Sequence, residues 1–415
     1  MKGSLPNPPV VSSLVFLMLA LSGPAGRAGT VAAPYQAGTW EGFRPAAISY
    51  TFDDDCANQY AVAAPMFHAA GLKMTLFTVT SWEGSWALVK NDAAWGDEIA
   101  SHTVTHPDLT TVPFAQLTNE LANSQSTINS YITNESCLTL AYPDCTVPSE
   151  SITALYYIAA RGCSGQLVSS TPADFLNISS FVLGNTGSYT TATNINRLAD
   201  NAVTANAWCV YLIHGIDSDG GYSPLSSTVL QACVNYTSTN QGKFWVETFG
   251  NVVRYIKERN ALSVAEITNS GGSITLQVTH NLNTNIYNQP ITLRRPMPAN
   301  WPGIVASTNG HPVNLQFVTV NSTNYVMFDV VPNAGNVVLM ETVPPFTLSS
   351  PAPASPGSFT FQLNGQSNVT YTICSSPDLV NWLPCQTNAL TGPWANITVG
   401  VASNAVQYYR AEWQP

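Results

Sequence analysis

From about Phe43 to Asn260 the chain alternates short apolar runs with stretches of helical periodicity. The segments AAISYTF, KMTLFTV, CLTLAYP and WCVYLIH read as strands. The segments QYAVAAPMFHAAG, LTNELANSQSTINSYI and SESITALYYIAARG read as helices, and KFWVETFGNVVRYIKERN reads as a turn into a last helix. Strand–helix alternation predicts a parallel sheet or barrel with helices outside, and such folds collect function at the C-terminal ends of their strands. Asp53 to Asp55, Pro143 to Cys145 and His214 all fall at such ends. After Ala261 the period changes to two. SITLQVTHN, QPITLRRP, VNLQFVTV, NYVMFDVV and NVVLMETV are separated by Asn, Gly and Pro turns, which predicts an all-β unit. A Pro/Ser stretch over 344–358 reads as a linker, and 359–415 as a β-sandwich-like module. The expected division is therefore 36–262, 263–343, linker 344–358 and 359–415.

Val10 to Leu21 is an apolar run of the length of an export signal's core, preceded by Lys2 and followed by small residues around Gly26-Arg27-Ala28. Residues 1–28 are therefore expected to be a signal peptide, with the remainder secreted and without an integral membrane span. Composition agrees. Only 9% of the 415 residues are charged, so Asn, Thr, Ser and Gln must supply the polar surface. A formal net charge of -10 excludes a nucleic-acid partner, because there is no basic cluster to neutralise phosphates. The eight cysteines all follow the signal, which favours disulfides. Cys374 and Cys385 stand alone in the last module and are expected to pair. Cys137 and Cys145 flank a strand and cannot bridge each other.

In SYTFDDDCANQY three aspartates follow an apolar run. A solvated turn accounts for them; so does a strand end that aims carboxylates at a metal and a water. In WGDEIASHTVTH, His102 and His106 are four apart. On a helical turn both imidazoles would share one face and could reach one ion, although a surface helix with two solvated histidines has the same spacing. His214 closes the apolar run YLIHGID.

Together these segments resemble the polysaccharide deacetylases of carbohydrate esterase family 4. TFDDD is similar to that family's Thr-Phe-Asp-Asp-Gly motif, with Asp55 in place of the glycine, and DEIASHTVTH to its His-Ser/Thr-x-x-His motif. LAYPDC and LIHG resemble its third and last motifs, and the likeness spans about 43–260. The resemblance implies a distorted (β/α) barrel with fewer strands than the eight-stranded form, followed here by two small all-β domains. It implies Asp53 as general base, and Asp54, His102 and His106 as ligands of a divalent metal, most often Zn2+, with Co2+ or another divalent ion as alternatives. His214 would be the general acid. A backbone N–H near Asp144 would hold the oxyanion, with Tyr142 lining the groove. The family's third motif often begins with an Arg that orients the base; here that position is Ala141, and Arg161 is the candidate substitute. Asp174 and Trp208 are candidates for the fourth motif, and Asp55 for a turn or capping residue. The implied partner is an acetylated polysaccharide or oligosaccharide, deacetylated at N or O. The alternatives are a hydrolase of another C–N amide bond on the same scaffold, and an inactive carbohydrate-binding surface protein.

Overall fold

The computed structural model describes residues 29–413 apart from 83, 300, 343–345, 368 and 401–405. The expected signal peptide lies outside the described residues. Strand β1 (Ala46–Asp53) is the axis of the first unit, and every one of its residues is buried. Burial on both faces is expected of a strand with a sheet neighbour on each side and helices behind. Period-two alternation then sorts its side chains. Ile48, Tyr50 and Phe52 pack outward with Phe67, Leu121 and Leu198 from the surrounding helices. Ala47 faces the opposite way, in a cluster with Phe77, Trp208 and Phe249. Ser49, Thr51 and Asp53 continue that inward column, two residues apart.

The remaining strands are β2 (Thr75–Thr78), β3 (Glu98–Ser101), β4 (Thr139–Ala141), β5 (Ala159–Arg161), β6 (Phe181–Val182), β7 (Trp208–Ile213) and β8 (Phe244–Val246). Their order is β5-β4-β3-β2-β1-β7-β6, and β8 pairs the first three residues of β1. All pairings are parallel. Arg161 also bridges Ile178 in parallel, just before β6, which brings the two ends of the sheet together into a distorted barrel. Helices α1 (Ala64–Ala69), α2 (Trp86–Trp95), α3 (Phe114–Tyr131), α4 (Glu150–Thr153), α5 (Ala192–Ala205), α6 (Ser227–Thr239) and α7 (Phe249–Ala261) connect the strands. No described helix is long and apolar enough to cross a membrane.

One expected helix is mostly something else. In SESITALYYIAARG only Glu150–Thr153 is α-helical, and Ala159–Arg161 is β5. Tyr157, Ile158, Ala159 and Ala160 are consecutive and all buried, so the run carries no helical stripe to distinguish helix from strand.

The second unit has a four-stranded sheet (Gln36–Ala37, Ile291–Pro296, Thr323–Val330, Gln316–Val320) and a five-stranded sheet (Ser263–Ser270, Ser273–Thr279, Val337–Glu341, Ile304–Thr308, His311–Val313). Both are antiparallel. Their apolar faces share one core with α7 and with the barrel's inner residues Phe77 and Trp208. This unit is therefore fused to the barrel rather than strung beside it. The buried pair Glu258–His280, 3.3 Å apart, joins α7 to the strand end after Thr279, and Glu258 also accepts from the Gln289 N–H at 2.9 Å.

The stretch expected as a linker is largely a strand. Thr347–Ser355 pairs antiparallel with Ser358–Asn364. It lies at the edge of its sheet, and its register shifts on either side of Ala352–Pro353, so Pro351 and Pro353 are tolerated. The last module is two three-stranded sheets around Phe361, Leu363, Tyr371, Ile373 and Ile397. The expected Cys374–Cys385 bridge is absent. Cys374 pairs with Pro384, and neighbouring positions on a strand face opposite ways, so Cys374 is buried while Cys385 is exposed. Tyr409 packs on the module's core, and Trp382 lies under the Arg410 guanidinium at 4.3 Å.

The last module's core shares no residue with the other two. A chain ending near residue 343 is therefore expected to keep its melting transition and its full activity on small soluble substrates. Loss of the cooperative transition in thermal denaturation would show the boundary to be wrong.

Candidate active site

Asp53 and Asp54 end β1, where alternation would send neighbouring side chains to opposite faces. Asp54 has φ 74°, in the left-handed region, so the chain leaves β geometry there. Both carboxylates consequently line the same cleft of about 490 Å3, together with His102, His106, Asp144 and His214. Asp55, at φ 50°, turns away: it accepts from the Val79 N–H at 2.8 Å and the Tyr60 hydroxyl at 3.1 Å, and so acts as a turn residue.

His102 follows β3, but the His102–His106 segment is not a helical turn. Thr103 and His106 have φ 69° and 58°, which a helix does not allow. Three β-branched residues separate the histidines, a poor helical sequence. The loop is instead held by the buried Glu120 of α3, which accepts from the N–H groups of Val104 and Thr105 at 2.8 and 2.9 Å and from the Thr105 hydroxyl at 2.6 Å. His106 N–H donates to the Thr103 hydroxyl at 3.0 Å. The pair that a helix would align by its period is aligned here by one carboxylate.

Asp54 Oδ1 lies 3.5 Å from His102 Nε2 and 3.6 Å from His106 Nε2. The tetrahedral spacing of zinc ligands with bonds of about 2.0–2.1 Å is about 3.3 Å. Asp54 Oδ1 is buried with no hydrogen-bond partner among the described residues, as expected of an atom meant for a cation. His102 Nδ1–H donates to the Ala141 carbonyl at 2.9 Å, which leaves the Nε2 lone pair facing Asp54. Burial lowers His102 to about 4, so it stays neutral and able to ligate. Burial, then the neighbouring Asp53 charge, raise Asp54 to about 6. The donor set fits a divalent cation.

Asp53 is almost fully buried, and burial alone would raise its pKa. The adjacent guanidinium of Arg161, followed by His102 and His214, reverses this and holds it below the usual carboxylate value. Arg161 Nη2 donates to Asp53 Oδ2, and Nη1 to the Ser180 hydroxyl at 3.2 Å. The guanidinium stacks on the Phe77 ring, 5.1 Å away. Arg161 is the register partner of Ala141 on the adjacent strand. A guanidinium thus reaches Asp53 from β5, at the level of Ala141 on β4.

His214 follows β7. Burial lowers its pKa, against the opposing pull of Asp53. Gln59 was not signalled by any motif, yet its side-chain amide donates to the carbonyls of Asp53 at 2.5 Å and His214 at 3.0 Å, tying the two strand ends together. Tyr142 belongs to the wall, but its ring is in the outer core and its N–H donates to the Arg161 carbonyl at 3.1 Å. Asp144, at φ 54°, turns the chain over the cleft. The Cys145–Cys163 disulfide joins this turn to the segment after Arg161, and both cysteines line the cleft. Trp208 is in the barrel core with its indole N–H on Ser49, and Asp174 accepts from the Leu176 N–H at an exposed position; neither reaches the site. Two further residues at the site went unread in the sequence. Trp82 is 51% exposed and stacks on His106, and Tyr222 is 59% exposed and stands edge-on to His214.

The family model described as polysaccharide deacetylase matches residues 42–159, which bears out the resemblance carried by the motifs. The chain is 27% identical over 336 residues to a gellan lyase of a Bacillus species, an alignment covering 72% of this chain. The chain spans only 13% of the length of that relative. Among solved structures it is similar to the Xyl-CE4 domain of a multidomain xylanase from the hindgut metagenome of Trinervitermes trinervoides, at 18% identity and TM-score 0.36, covering 49% of this chain and 88% of that one. It is also similar to a family 4 acetyl xylan esterase from Clostridium thermocellum, at 16% identity and TM-score 0.37, covering 49% and 89%.

Removing Arg161 leaves Asp53 buried without its counter-charge, and breaking a buried pair costs about 3–5 kcal/mol. Arg161→Ala is expected to lose about that much stability in urea denaturation. Ala141→Arg in the same chain is expected to recover part of it, because position 141 is the register neighbour. A double variant no more stable than Arg161→Ala would refute the compensation.

Proposed function

We propose that this chain is an exported, metal-dependent deacetylase that hydrolyses N- or O-linked acetyl groups of a polysaccharide or oligosaccharide. The reading is carried by one observation: an orphaned Asp54 oxygen facing two histidines, beside an Asp53 held ionised by Arg161. Asp54, His102 and His106 would hold the cation, with Zn2+ the leading identity and Co2+ or another divalent ion the alternatives. When bound, the ion supplies Lewis-acid polarisation of the acyl carbonyl and lowers the pKa of water.

The chain's own groups do the rest. Asp53, ionised at neutral pH, takes the proton of the attacking water. His214 delivers a proton to the departing amine or alkoxide. With the Tyr142 N–H spent on Arg161, the Asp144 N–H is the donor proposed for the developing oxyanion. Trp82 and Tyr222 offer exposed aromatic faces on either histidine side of the cleft, and aromatic faces suit the apolar faces of sugar rings. Residues 36–262 would be the catalytic unit, the fused β unit its base and the last module an appendage. Residues 1–28 would direct export.

Acetate release measured over chitin oligomers, peptidoglycan, acetylated xylan and gellan tests the reading. Release from at least one, dependent on a divalent ion, is expected; none from any member, with metal bound, would leave the inactive surface protein as the better account.

Asp53 and Asp54 are expected to fail differently. Asp53→Asn keeps the metal and loses turnover by about 10²–10⁴, the contribution of a positioned base. Asp54→Asn loses metal affinity, and excess zinc restores part of the rate. Near-normal turnover in Asp53→Asn would remove it as the base. The pH profile has a definite sign. Asp53 is depressed by Arg161, so activity is lost as pH falls through that lowered value. In Arg161→Met the largest charge opposing burial at Asp53 is gone, and the acid limb of kcat/KM moves to higher pH. A limb that stays in place would exclude Asp53 from it.

A further inference from the structure

A second cluster of metal-ligating side chains lies at the opposite end of β3 from His102. Its members are His68 of α1, Asp92 of α2 and Asp97, the residue before β3. Their donor atoms all lie within 4.8 Å of one another. Five residues of extended chain separate Asp97 from His102, about 16 Å, so the two clusters cannot share an ion.

The backbone builds this cluster. Helix α2 ends at Trp95, and Gly96 at φ 112° reverses the chain in the left-handed conformation, its N–H and that of Asp97 both donating to the Asp92 carbonyl, at 3.2 and 3.1 Å. That turn brings the Asp97 side chain beside Asp92. Asp97 Oδ1 accepts from the Met74 N–H at 2.9 Å, and Oδ2 lies 2.6 Å from His68 Nε2. The His68 ring is set by stacking on Trp95, with centroids 4.6 Å apart.

Asp92 is the unexplained member. Its side chain is 7% exposed, and Oδ2 is shut off from solvent with no hydrogen-bond partner among the described residues. A buried carboxylate oxygen without a donor is costly, and the Asp92 carboxylate lies beside a second carboxylate and an imidazole. The Asp54 cluster shares the orphaned oxygen, Asp54 Oδ1 between two histidines, whereas here His68 Nε2 and Asp97 Oδ2 are hydrogen-bonded at 2.6 Å, a bond that an ion would replace.

We propose that His68, Asp92 and Asp97 form a second, structural divalent-cation site that clamps α1 and α2 to the N-terminal end of β3. One imidazole nitrogen and two carboxylate oxygens suit Zn2+ or Mn2+, and a dication offsets both carboxylate charges. The site lies away from the cleft, at the end of the barrel where side chains serve stability rather than chemistry. The strand it anchors carries the catalytic His102 at its other end.

Ion counting tests this on the full chain. Protein stripped of metal is saturated with zinc, or separately with manganese, passed through a desalting column and analysed by elemental mass spectrometry. Asp92→Asn and His68→Gln should each hold one ion fewer than the wild type, while His102→Ala/His106→Ala should still hold one. The melting temperature of the His102→Ala/His106→Ala protein should rise with added metal, and this rise should vanish when Asp92→Asn is added. If Asp92→Asn fails to fold, His68→Gln carries the count. The proposal is overturned if the foldable Asp92 and His68 variants bind as many ions as the wild type, or if His102→Ala/His106→Ala protein binds none. Those counts do not depend on turnover, so loss of the catalytic ion alone would register in the His102/His106 comparison and leave this one readable.

Discussion

A strand buried on both faces cannot present two consecutive side chains to one cavity, yet the proposed chemistry needs a base and a ligand side by side. Asp53 and Asp54 meet that constraint through a single backbone departure, the left-handed φ of Asp54 at the mouth of the barrel. Everything else at the site is arranged around it. Asp53 still belongs to the inward column of β1 and inherits its burial, so it needs a counter-charge within the barrel. Asp54 is released from the column and reaches the His102–His106 loop. Gln59 fixes the departure by holding the Asp53 carbonyl against that of His214.

The inner column also explains why the arginine could move. Ala47, Ser49 and Thr51 on β1, Ala100 on β3 and Ala141 on β4 are small, and they leave the interior to a few large groups, Phe77, Trp208, Phe249 and Arg161. Inside such a barrel a side chain's height matters more than which strand carries it. Arg161 and Ala141 are register partners, so the guanidinium enters from the strand beside Ala141 at the same level. The sheet's ends meet at the same place, through the Arg161–Ile178 bridge and the Ser180 hydroxyl on the guanidinium. The contact that closes the barrel and the guanidinium that holds the Asp53 carboxylate thus belong to one residue.

Much of this was legible in the chain, and the failures have physical causes. β1, β2, β4 and β7 announced themselves as short apolar runs, and the strands of the sandwich as period-two alternation. β5 did not, because the four residues from Tyr157 to Ala160 are all buried and carry no period. The His102–His106 pair was correctly grouped but wrongly built: spacing alone implies a helical turn, whereas the loop depends on Glu120, fourteen residues beyond His106 and marked by no local signal. Gln59, Trp82 and Tyr222 were invisible for the same reason, since their roles exist only once distant strand ends meet. The prolines of 351–353 suggested a linker because the sequence does not say that this strand is an edge.

The low charge content was read as a statement about the surface, and the structure makes it a statement about the interior as well. Asp53, Asp92, Asp97, Glu98, Glu120, Arg161, Glu258 and Arg295 are all buried. Half of them, Asp97, Glu98, Glu120 and Arg295, leave no sealed polar side-chain atom without a partner among the described residues. Glu98 accepts from the Thr139 hydroxyl at 2.6 Å, the Thr75 hydroxyl at 2.9 Å and the Gly250 N–H at 2.8 Å, joining three strands' ends to α7. A β-carbon at position 250 would come within 2.4 Å of Glu98 Oε1, so only glycine permits that bond. Glu120 holds the histidine loop in the same way. Burying a carboxylate is unfavourable unless its lone pairs are met, and where they are met it fixes geometry more sharply than an apolar contact can. The exceptions then stand out. Asp53, Asp54, Asp92 and Glu258 each keep a sealed oxygen without a hydrogen-bond partner among the described residues, and that of Glu258 faces His280 Nε2 at 3.3 Å. In a chain that satisfies Glu98 and Glu120 so completely, the unmet oxygens of Asp54 and Asp92, each set among other metal-ligating side chains, fit the cation sites proposed for them.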